Sequence, residues 1–197
     1  IRDRWCDALD EIASQKVVRR HEVVTPLAAL IDSHAAALLR ELVTARRWDI
    51  YDDPFEDAAQ FERYIDYTSG HLLVVASGVL GGADPQVVRD FAFATGLSNW
   101  FQAVPKLLSQ RRHPLLDLSS KSLRRLAEQG LQRLAMARNS RGLVSSDAGA
   151  ALLCGWQTKS YLTEAFHHPE RVLSGLSGPR LFVSKARLLA QAATGRW

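Results

Sequence analysis

The chain has 197 residues, 47% of them hydrophobic, and its 25 Lys and Arg against 21 Asp and Glu give a net charge of +4. This length is enough to bury one sizeable core and predicts a single domain. The basic residues form no long run of the kind that follows a nucleic-acid backbone, so we expect no nucleic-acid partner.

Two further features exclude other classes of protein. Cys6 and Cys154 are far apart and form no CxxC motif, so neither a disulfide framework nor a zinc site is indicated. The longest apolar run, residues 72–80, is much shorter than the roughly 20 residues that a membrane-spanning helix needs. We therefore expect no transmembrane segment.

Apolar residues recur every three or four positions almost throughout, which predicts an all-α protein. The first predicted helix covers residues 1–14 and places four apolar residues on one face: Ile1, Trp5, Leu9 and Ile12. Thr25 followed by Pro26 predicts the start of the next helix, with the Thr hydroxyl as its cap. That helix is expected to break near Ser33 and His34 and to resume as far as about Tyr51.

The middle of the chain predicts two longer helices. Asp57 is the expected cap of the first, which continues until Gly81 and Gly82 stop it. Asp84 and Pro85 then begin a helix that is apolar around much of its circumference, as in a buried central helix. Pro105 is predicted to end or kink it.

Three helices are predicted in the remaining sequence, after a connector that reads SQRRHPLLDLSS. They span residues 121–140, residues 147–166 and residues 179–193. Ser145, Ser146 or Asp147 is the expected cap of the second, and a turn-rich stretch separates it from the third. Six or seven helices with short connectors predict a helical bundle.

The stretch ARRWDIYDDPFED, residues 45–57, has the composition of a metal site, because Asp49, Asp53 and Asp57 stand four apart. On one helix, such carboxylates can hold magnesium against a diphosphate. Pro54 disfavours helical geometry at Asp53, however, so the helix should end before it. We therefore interpret the stretch as an acidic turn between helices, with Arg46 and Arg47 as ion-pair partners.

The same stretch and its surroundings resemble the squalene/phytoene synthase family. In that family, a comparable turn precedes a Y-x-x-x-T helix that ends in a glycine pair, and Tyr64 and Thr68 occupy those positions here. IRDRWCDALDEI is similar to the family's R-x-x-W-x-x-x-L helix, and ATGLSNWFQAVPKL to its fourth major helix. The resemblance implies an isoprenoid-synthase-like bundle for residues 1–197, lacking the N-terminal part of the fold.

The family's enzymes join two isoprenoid diphosphates, using two aspartate-rich motifs to hold magnesium. The first motif would precede Ile1. The second reads approximately Q-L-T-N-I-L-R-D-V-x-E-D, and alignment on Asn99 places Ala103 and Leu107 at its two aspartates and Gln102 at its arginine. Neither Ala nor Leu offers the oxygen ligands that magnesium requires, so we expect no catalytic residue and no metal or other cofactor.

The loss of these aspartates is similar to a branch of the family that includes an assembly factor for mitochondrial respiratory complex I. That branch also has a proline after the altered motif and a basic loop before an L-P-x-D-like segment. Here the proline is Pro105, the loop is SQRRH, and Pro114 precedes the leucines rather than separating them. This resemblance implies protein partners in a larger, membrane-associated complex, in the mitochondrial matrix or at the matrix face of the inner membrane.

Two alternatives remain open: an active prenyltransferase with an altered magnesium site, and a non-catalytic binder of isoprenoid or quinone lipids. A bacterial cytoplasmic location is the alternative to the mitochondrion. The resemblance suggests five cavity-lining residues: Tyr64, Thr68, Phe93, Asn99 and Trp100. Trp100 and Leu107 are bulky enough to fill part of such a cavity. Three basic residues of the connector could contact a partner or an anion: Arg111, Arg112 and His113.

Overall fold

The computed structural model describes residues 2–14, 17–51, 53–179 and 181–197, and these residues form helices and no named strand. The all-α class is therefore confirmed. An isolated bridge joins Ala83 to Val144. The α-helices are α1 (Arg2–Ala13), α2 (Val24–Ala28), α3 (Ser33–Ala45), α4 (Ala58–Ile65), α5 (His71–Leu80), α6 (Pro85–Ser109), α7 (Ser120–Asn139), α8 (Ser146–Leu152), α9 (Thr158–His167), α10 (Arg171–Ser174) and α11 (Leu181–Thr194).

Helices α1 and α3 pack together at one side of the bundle. Leu9 and Ile12 are buried there, as their spacing predicts, while Ile1 lies outside the described residues. The predicted cap at Thr25 is wrong, because α2 already begins at Val24 and the Thr25 hydroxyl instead accepts a bond from the His21 amide. The break also comes earlier than expected, and Asp32 caps α3 by accepting from the Ala35 amide.

Helix α4 continues into α5 through a π-helical segment, Asp66–Gly70. Asp57 caps α4 by accepting from the Gln60 amide at 2.7 Å, which confirms the predicted start. The predicted stop is confirmed as well, since Gly81 and Gly82 have φ angles of 147° and 88°. Such angles favour glycine because it has no Cβ.

Helix α6 is the buried axis of the bundle, as its apolar circumference predicts. Asp84 caps it by accepting from the amides of Gln86 and Val87 at 2.8 and 3.1 Å, and Pro85 occupies its first turn. Pro105 does not end the helix, which continues to Ser109. A proline removes one backbone donor, and the neighbouring turns of this long helix are held by packing on both sides of it.

The second half of the bundle departs from the sequence prediction in two places, one of which is the short helix α10 within the stretch predicted to be turn-rich. Ser119 and Ser145 cap α7 and α8, but the helix predicted over 147–166 is divided into α8 and α9. The division falls at a 3-10 turn, Leu153–Gly155, where a Cβ on Gly155 would stand 2.5 Å from the ring of Phe91. Close packing of this turn on α6 explains the interruption, since a straight helix would not bring the backbone this near.

The main core surrounds α6 and includes Phe91, Leu97 and Phe101, all fully buried. A smaller cluster between α1, α2 and α3 meets α5 at Val75. None of the described helices combines the length and the apolar character needed to cross a membrane.

Candidate functional site: a cleft between α4 and α6

A cleft of about 390 Å³ lies between α6 and the wall formed by α4 and the π-helical segment. Its lining comprises Arg46, Trp48, Asp49, Tyr64, Ile65, Thr68, Ser69, Gly96, Asn99, Trp100, Ala103, Lys106, Leu107, Gln110 and Arg112. Four of the five predicted cavity-lining residues are among them. The cleft therefore occupies the place where the sequence predicts a cavity.

One face of α6 forms the floor of the cleft. Asn99, Ala103 and Leu107 stand at i, i+4 and i+8, so their side chains project in the same direction. Ala103 and Leu107 are the positions that the resemblance assigns to two metal-binding aspartates, and the helix brings both to the cleft. Gln102 points elsewhere on the helix, and its amide donates to the carbonyl of Ser98.

Phe93 does not belong to the cleft. It precedes Asn99 by six positions, which places it on another side of α6. Its buried ring lies under the guanidinium of Arg133, 4.4 Å from the ring centroid. The prediction that Phe93 lines the cavity is therefore wrong.

The opposite wall is held close to α6 by a glycine. A Cβ on Gly96 would stand 2.5 Å from the Ser69 hydroxyl and 2.9 Å from the Ile65 side chain, so only glycine permits this approach. Thr68, also on this wall, donates its hydroxyl to the carbonyl of Tyr64 at 2.7 Å. Its hydroxyl is thus engaged within its own helix.

The acidic turn forms the mouth of the cleft. Its helical backbone ends at Asp49, in a 3-10 turn (Arg46–Asp49) that follows α3. Asp49 accepts from the Tyr64 hydroxyl at 2.7 Å and pairs with Arg46 at 3.2 Å, whereas Asp53 is exposed and Asp57 caps α4. The three carboxylates do not converge, which confirms that this stretch is a turn between helices.

Aromatic rings fix the turn against the core. Trp48 stacks on Phe55 with ring centroids 4.7 Å apart and contacts Trp100 at 5.1 Å. Tyr64 packs on both tryptophans. Burial, and secondly the hydrogen bond to Asp49, raises the pKa of Tyr64 well above its ordinary value. The Tyr64 hydroxyl therefore stays protonated and acts as a donor.

The three basic residues of the connector have different positions. Arg112 lies over Trp48, 4.4 Å from the ring centroid, and donates to the carbonyls of Trp48, Asp49 and Tyr51 at 2.6, 3.2 and 3.1 Å. Arg111, with φ of 61°, and His113 are exposed and outside the cleft lining. Arg112 thus joins the turn to the connector at the rim of the cleft, and contact of Arg111 and His113 with a partner stays a prediction.

Sequence reasoning named Arg46 and Arg112 but did not place them together at the rim of a cleft, and it missed Lys106. Arg46, Lys106 and Arg112 bring three cations to the lining, and Asp49 is the single carboxylate among the described lining residues. No cluster of three or more His, Cys, Asp or Glu side chains suited to a metal occurs in the described parts of the chain. Trp48 was also missed, because its place depends on how the irregular turn folds back.

The donor set around the cleft does not fit magnesium. Mg²⁺ requires octahedral oxygen ligation, usually with one or two carboxylates and substrate phosphates. The one carboxylate of the lining is already bound by Tyr64 and Arg46, and the surrounding side chains are cationic. Like charges of this kind disfavour a divalent cation.

A bundle of helices around a buried central helix, with a cleft beside it, defines an all-α protein with an isoprenoid-synthase-like fold. The family model Squalene/phytoene synthase matches residues 2–116, and the chain belongs to this family. The matched region includes α1 to α6 and every residue that lines the cleft. The search of curated proteins gave no match.

Proposed function

We propose that this member of the squalene/phytoene synthase family has lost metal-dependent prenyl transfer and acts as a scaffold, an assembly factor or an accessory subunit of a respiratory-chain complex. The proposed loss of prenyl transfer rests on one observation, the residues on the face of α6 that lines the cleft. This face presents Asn99, Ala103 and Leu107, where the resemblance expects carboxylates at the last two positions.

The electrostatics of the cleft support the same proposal. A departing diphosphate is stabilised in such enzymes by magnesium held between carboxylates. Here Arg46, Lys106 and Arg112 surround a single carboxylate, Asp49, that is engaged by Tyr64. A positive cleft can attract an anion, but it lacks the ligands to assemble a metal cluster around that anion.

The respiratory setting rests on the resemblance to the aspartate-lacking branch. The shared features are the altered motif, Pro105 after it, and the basic loop that follows α6. On this proposal the protein acts at the matrix face of the inner mitochondrial membrane, or in the cytoplasm of a bacterium with an equivalent complex. Its partners are subunits of the complex under assembly.

The loss of catalysis is tested with geranylgeranyl or farnesyl diphosphate and Mg²⁺. We expect no release of pyrophosphate above that of a heat-denatured sample. Magnesium-dependent release by the wild-type chain would contradict the proposal and indicate a prenyltransferase with an altered site. The scaffold role is tested separately, by deleting the coding sequence in the source organism and measuring complex I assembly on native gels. Normal assembly in the deletion would contradict it.

The open cleft favours one second candidate, a non-catalytic binder of isoprenoid or quinone lipids. Trp48, Ile65 and Trp100 offer apolar contacts beside the cationic rim. A carrier should copurify with a lipid that organic solvent extracts and mass spectrometry detects.

Substitution at the cleft separates the scaffold from the carrier. Ala103→Trp should fill the cleft and abolish lipid retention, while Ala150→Trp, at an exposed position on α8, serves as the control. If the protein is a scaffold, both variants restore complex I assembly in the deletion strain. If it is a carrier, Ala150→Trp retains the extractable lipid and Ala103→Trp does not.

A further inference from the structure

Helix α11 buries a polar side chain and exposes large apolar ones, the reverse of an ordinary surface helix. Its inward face contains Ser184, which is 1% exposed, with Leu188 and Gln191 half-buried beside it. Phe182 and Leu189, by contrast, are 84% and 71% exposed. A surface helix normally buries its apolar stripe and exposes its polar one, so this arrangement requires an explanation.

The exposed apolar residues form a continuous strip. At 100° per residue, six side chains of α11 fall within one broad face: Phe182, Val183, Ala186, Leu189, Ala190 and Ala193. The six are all exposed. Lys185 lies at one border of the strip and Arg187 at the other. We name this surface, the six apolar residues with Lys185 and Arg187, the α11 strip.

The stretch of sequence that contains the α11 strip carries charged side chains of one sign only. Residues 171–197 contain five basic residues and no acidic residue. Two arginines that precede this stretch in the sequence lie close to it in space. Burial, and then repulsion from the neighbouring cations Arg141 and Arg187, lowers the pKa of Arg138. Burial and the nearby Arg196 lower the pKa of Arg141 in the same way. Positive charges from α7, the turn after it and α11 therefore stand close together.

We propose that the α11 strip docks on the surface of an anionic lipid membrane. The apolar residues enter the boundary between headgroups and acyl chains, and Lys185 at one border extends to the lipid phosphates. At the other border Arg187 donates through one nitrogen to the Ser160 hydroxyl at 2.7 Å, and its other nitrogens face the phosphates. An apolar helix face bordered by cations is the usual form of an interfacial helix, and anionic lipids strengthen its binding. The net positive charge of residues 171–197 is complementary to an anionic lipid surface.

The proposal is independent of the cleft, because the residues that line the cleft all lie between Arg46 and Arg112. It also leaves the helix outside the bilayer core, in agreement with the short length of α11. The membrane would hold one side of the bundle, with the cleft free to meet a different ligand or partner.

The apolar contribution is tested by cosedimentation of the full chain with vesicles of phosphatidylcholine with and without phosphatidylglycerol. Wild-type protein should sediment with the vesicles that contain phosphatidylglycerol. Phe182→Ser with Leu189→Ser should weaken this binding at least about tenfold, because two large apolar side chains are lost from the interface. The control, Leu30→Ser with Leu72→Ser, removes two side chains that are 62% and 51% exposed elsewhere and should bind as wild type.

The contribution of the basic side chains to membrane binding is tested with a second double variant and its own control. Lys185→Glu with Arg187→Glu should weaken binding by about tenfold or more, since each cation near an anionic surface contributes measurably. Lys121→Glu with Arg20→Glu makes the same change in net charge at exposed positions on other elements. Unchanged thermal unfolding by circular dichroism shows that each variant is folded.

Three results would overturn the proposal. One is a wild-type chain that stays in solution with both kinds of vesicle. The second is an equal loss of vesicle binding in the two α11 double variants and in their controls. The third is a concentration-dependent dimer that Phe182→Ser with Leu189→Ser abolishes, because a second copy of the chain would then cover the strip.

Discussion

The hydroxyl of Tyr64 donates a 2.7 Å hydrogen bond to the carboxylate of Asp49, and so joins the buried wall of the cleft to the turn at its mouth. The Tyr64 ring packs between Trp48 and Trp100, with centroid distances of 5.6 and 5.2 Å. Tyr64 therefore positions the turn through its hydroxyl and supports it through its ring. These two contributions can be separated by substitution.

Tyr64→Phe keeps the ring and removes the hydroxyl. We expect the free energy of unfolding to fall by about 1–2 kcal/mol, a value that allows for the 40% exposure of the Asp49 side chain. Urea denaturation measures this change. Tyr51→Phe is the matched control, because its half-exposed ring should keep its contact with Arg47, and it should change stability by less than about 0.5 kcal/mol. Equal effects of the two substitutions would contradict the role of the bond.

The raised pKa of Tyr64 predicts a dependence of stability on alkaline pH. A tyrosine in the unfolded chain titrates near about pH 10, and the folded chain holds its proton more tightly. The resulting stabilisation is complete below that pH and is lost as the pH rises toward the pKa of the folded state. Wild-type protein should therefore lose more stability than Tyr64→Phe above about pH 10 in urea titrations, since all other tyrosines are common to both chains. Parallel losses would show that Tyr64 titrates normally.

Gly96 should tolerate no larger residue. Gly96→Ala places a Cβ 2.5 Å from the Ser69 hydroxyl and 2.9 Å from Ile65, so overpacking should reduce stability by about 1–3 kcal/mol. Gly78→Ala is the control, since its added Cβ would have no atom within 4 Å beyond its chain neighbours and the backbone of its own helix. Within a helix this exchange normally stabilises by roughly 0.5–1 kcal/mol. Thermal unfolding should thus shift in opposite directions, and a shift of the same sign would refute the close approach.

Substitution of Arg112 should reduce stability more than substitution of Arg111, although the two residues are adjacent. Arg112→Lys loses the planar fork that reaches three carbonyls and stacks on Trp48, so stability should fall by about 1–3 kcal/mol. Limited trypsin digestion should then cut faster after Arg46 and Arg47, because the turn is less firmly held. Arg111→Lys, at an exposed position, should leave both measurements unchanged. Equal digestion of the two variants would contradict the closure of the turn by Arg112.

Magnesium should not stabilise the wild-type chain. The cleft lining offers one carboxylate, already bound, amid three cations, so a millimolar addition of MgCl₂ should leave the unfolding midpoint where NaCl of equal ionic strength leaves it. Differential scanning calorimetry measures the midpoint. A rise specific to magnesium would reveal a metal site and reopen the prenyltransferase alternative.

The parts of the fold that depend on local chemistry were predictable from sequence. Asp57, Asp84 and the pair Gly81 and Gly82 mark helix ends through caps and backbone angles that neighbouring residues determine. The interruption at Gly155 was not predictable, because it depends on Phe91, 64 positions earlier in the chain. Its cause is tertiary packing, which periodicity does not contain.

The same distinction applies to the cleft. Asn99, Trp100, Ala103 and Leu107 lie on one regular helix, and all four line the cleft. Phe93 was misplaced because it lies on another side of the same helix, under the guanidinium of Arg133. The cations of the rim come from three separate elements, and Arg112 reaches its carbonyls across more than 60 residues of sequence. Such convergence becomes visible only when the chain is folded.

The π-helical segment Asp66–Gly70 has a consequence for how this chain can change in length. A π turn holds about one residue more than an α turn, so it behaves as a single-residue insertion within a continuous helix. Deleting that residue would restore regular α geometry and leave α5 in its present direction, whereas regular α geometry at the present length would rotate α5 by about 100° relative to α4. His71, whose Nδ1 lies 3.1 Å from the Leu38 carbonyl, would then leave α3 while Tyr64 kept its place at the cleft. The register between the two halves of the bundle is thus set by one residue in this segment.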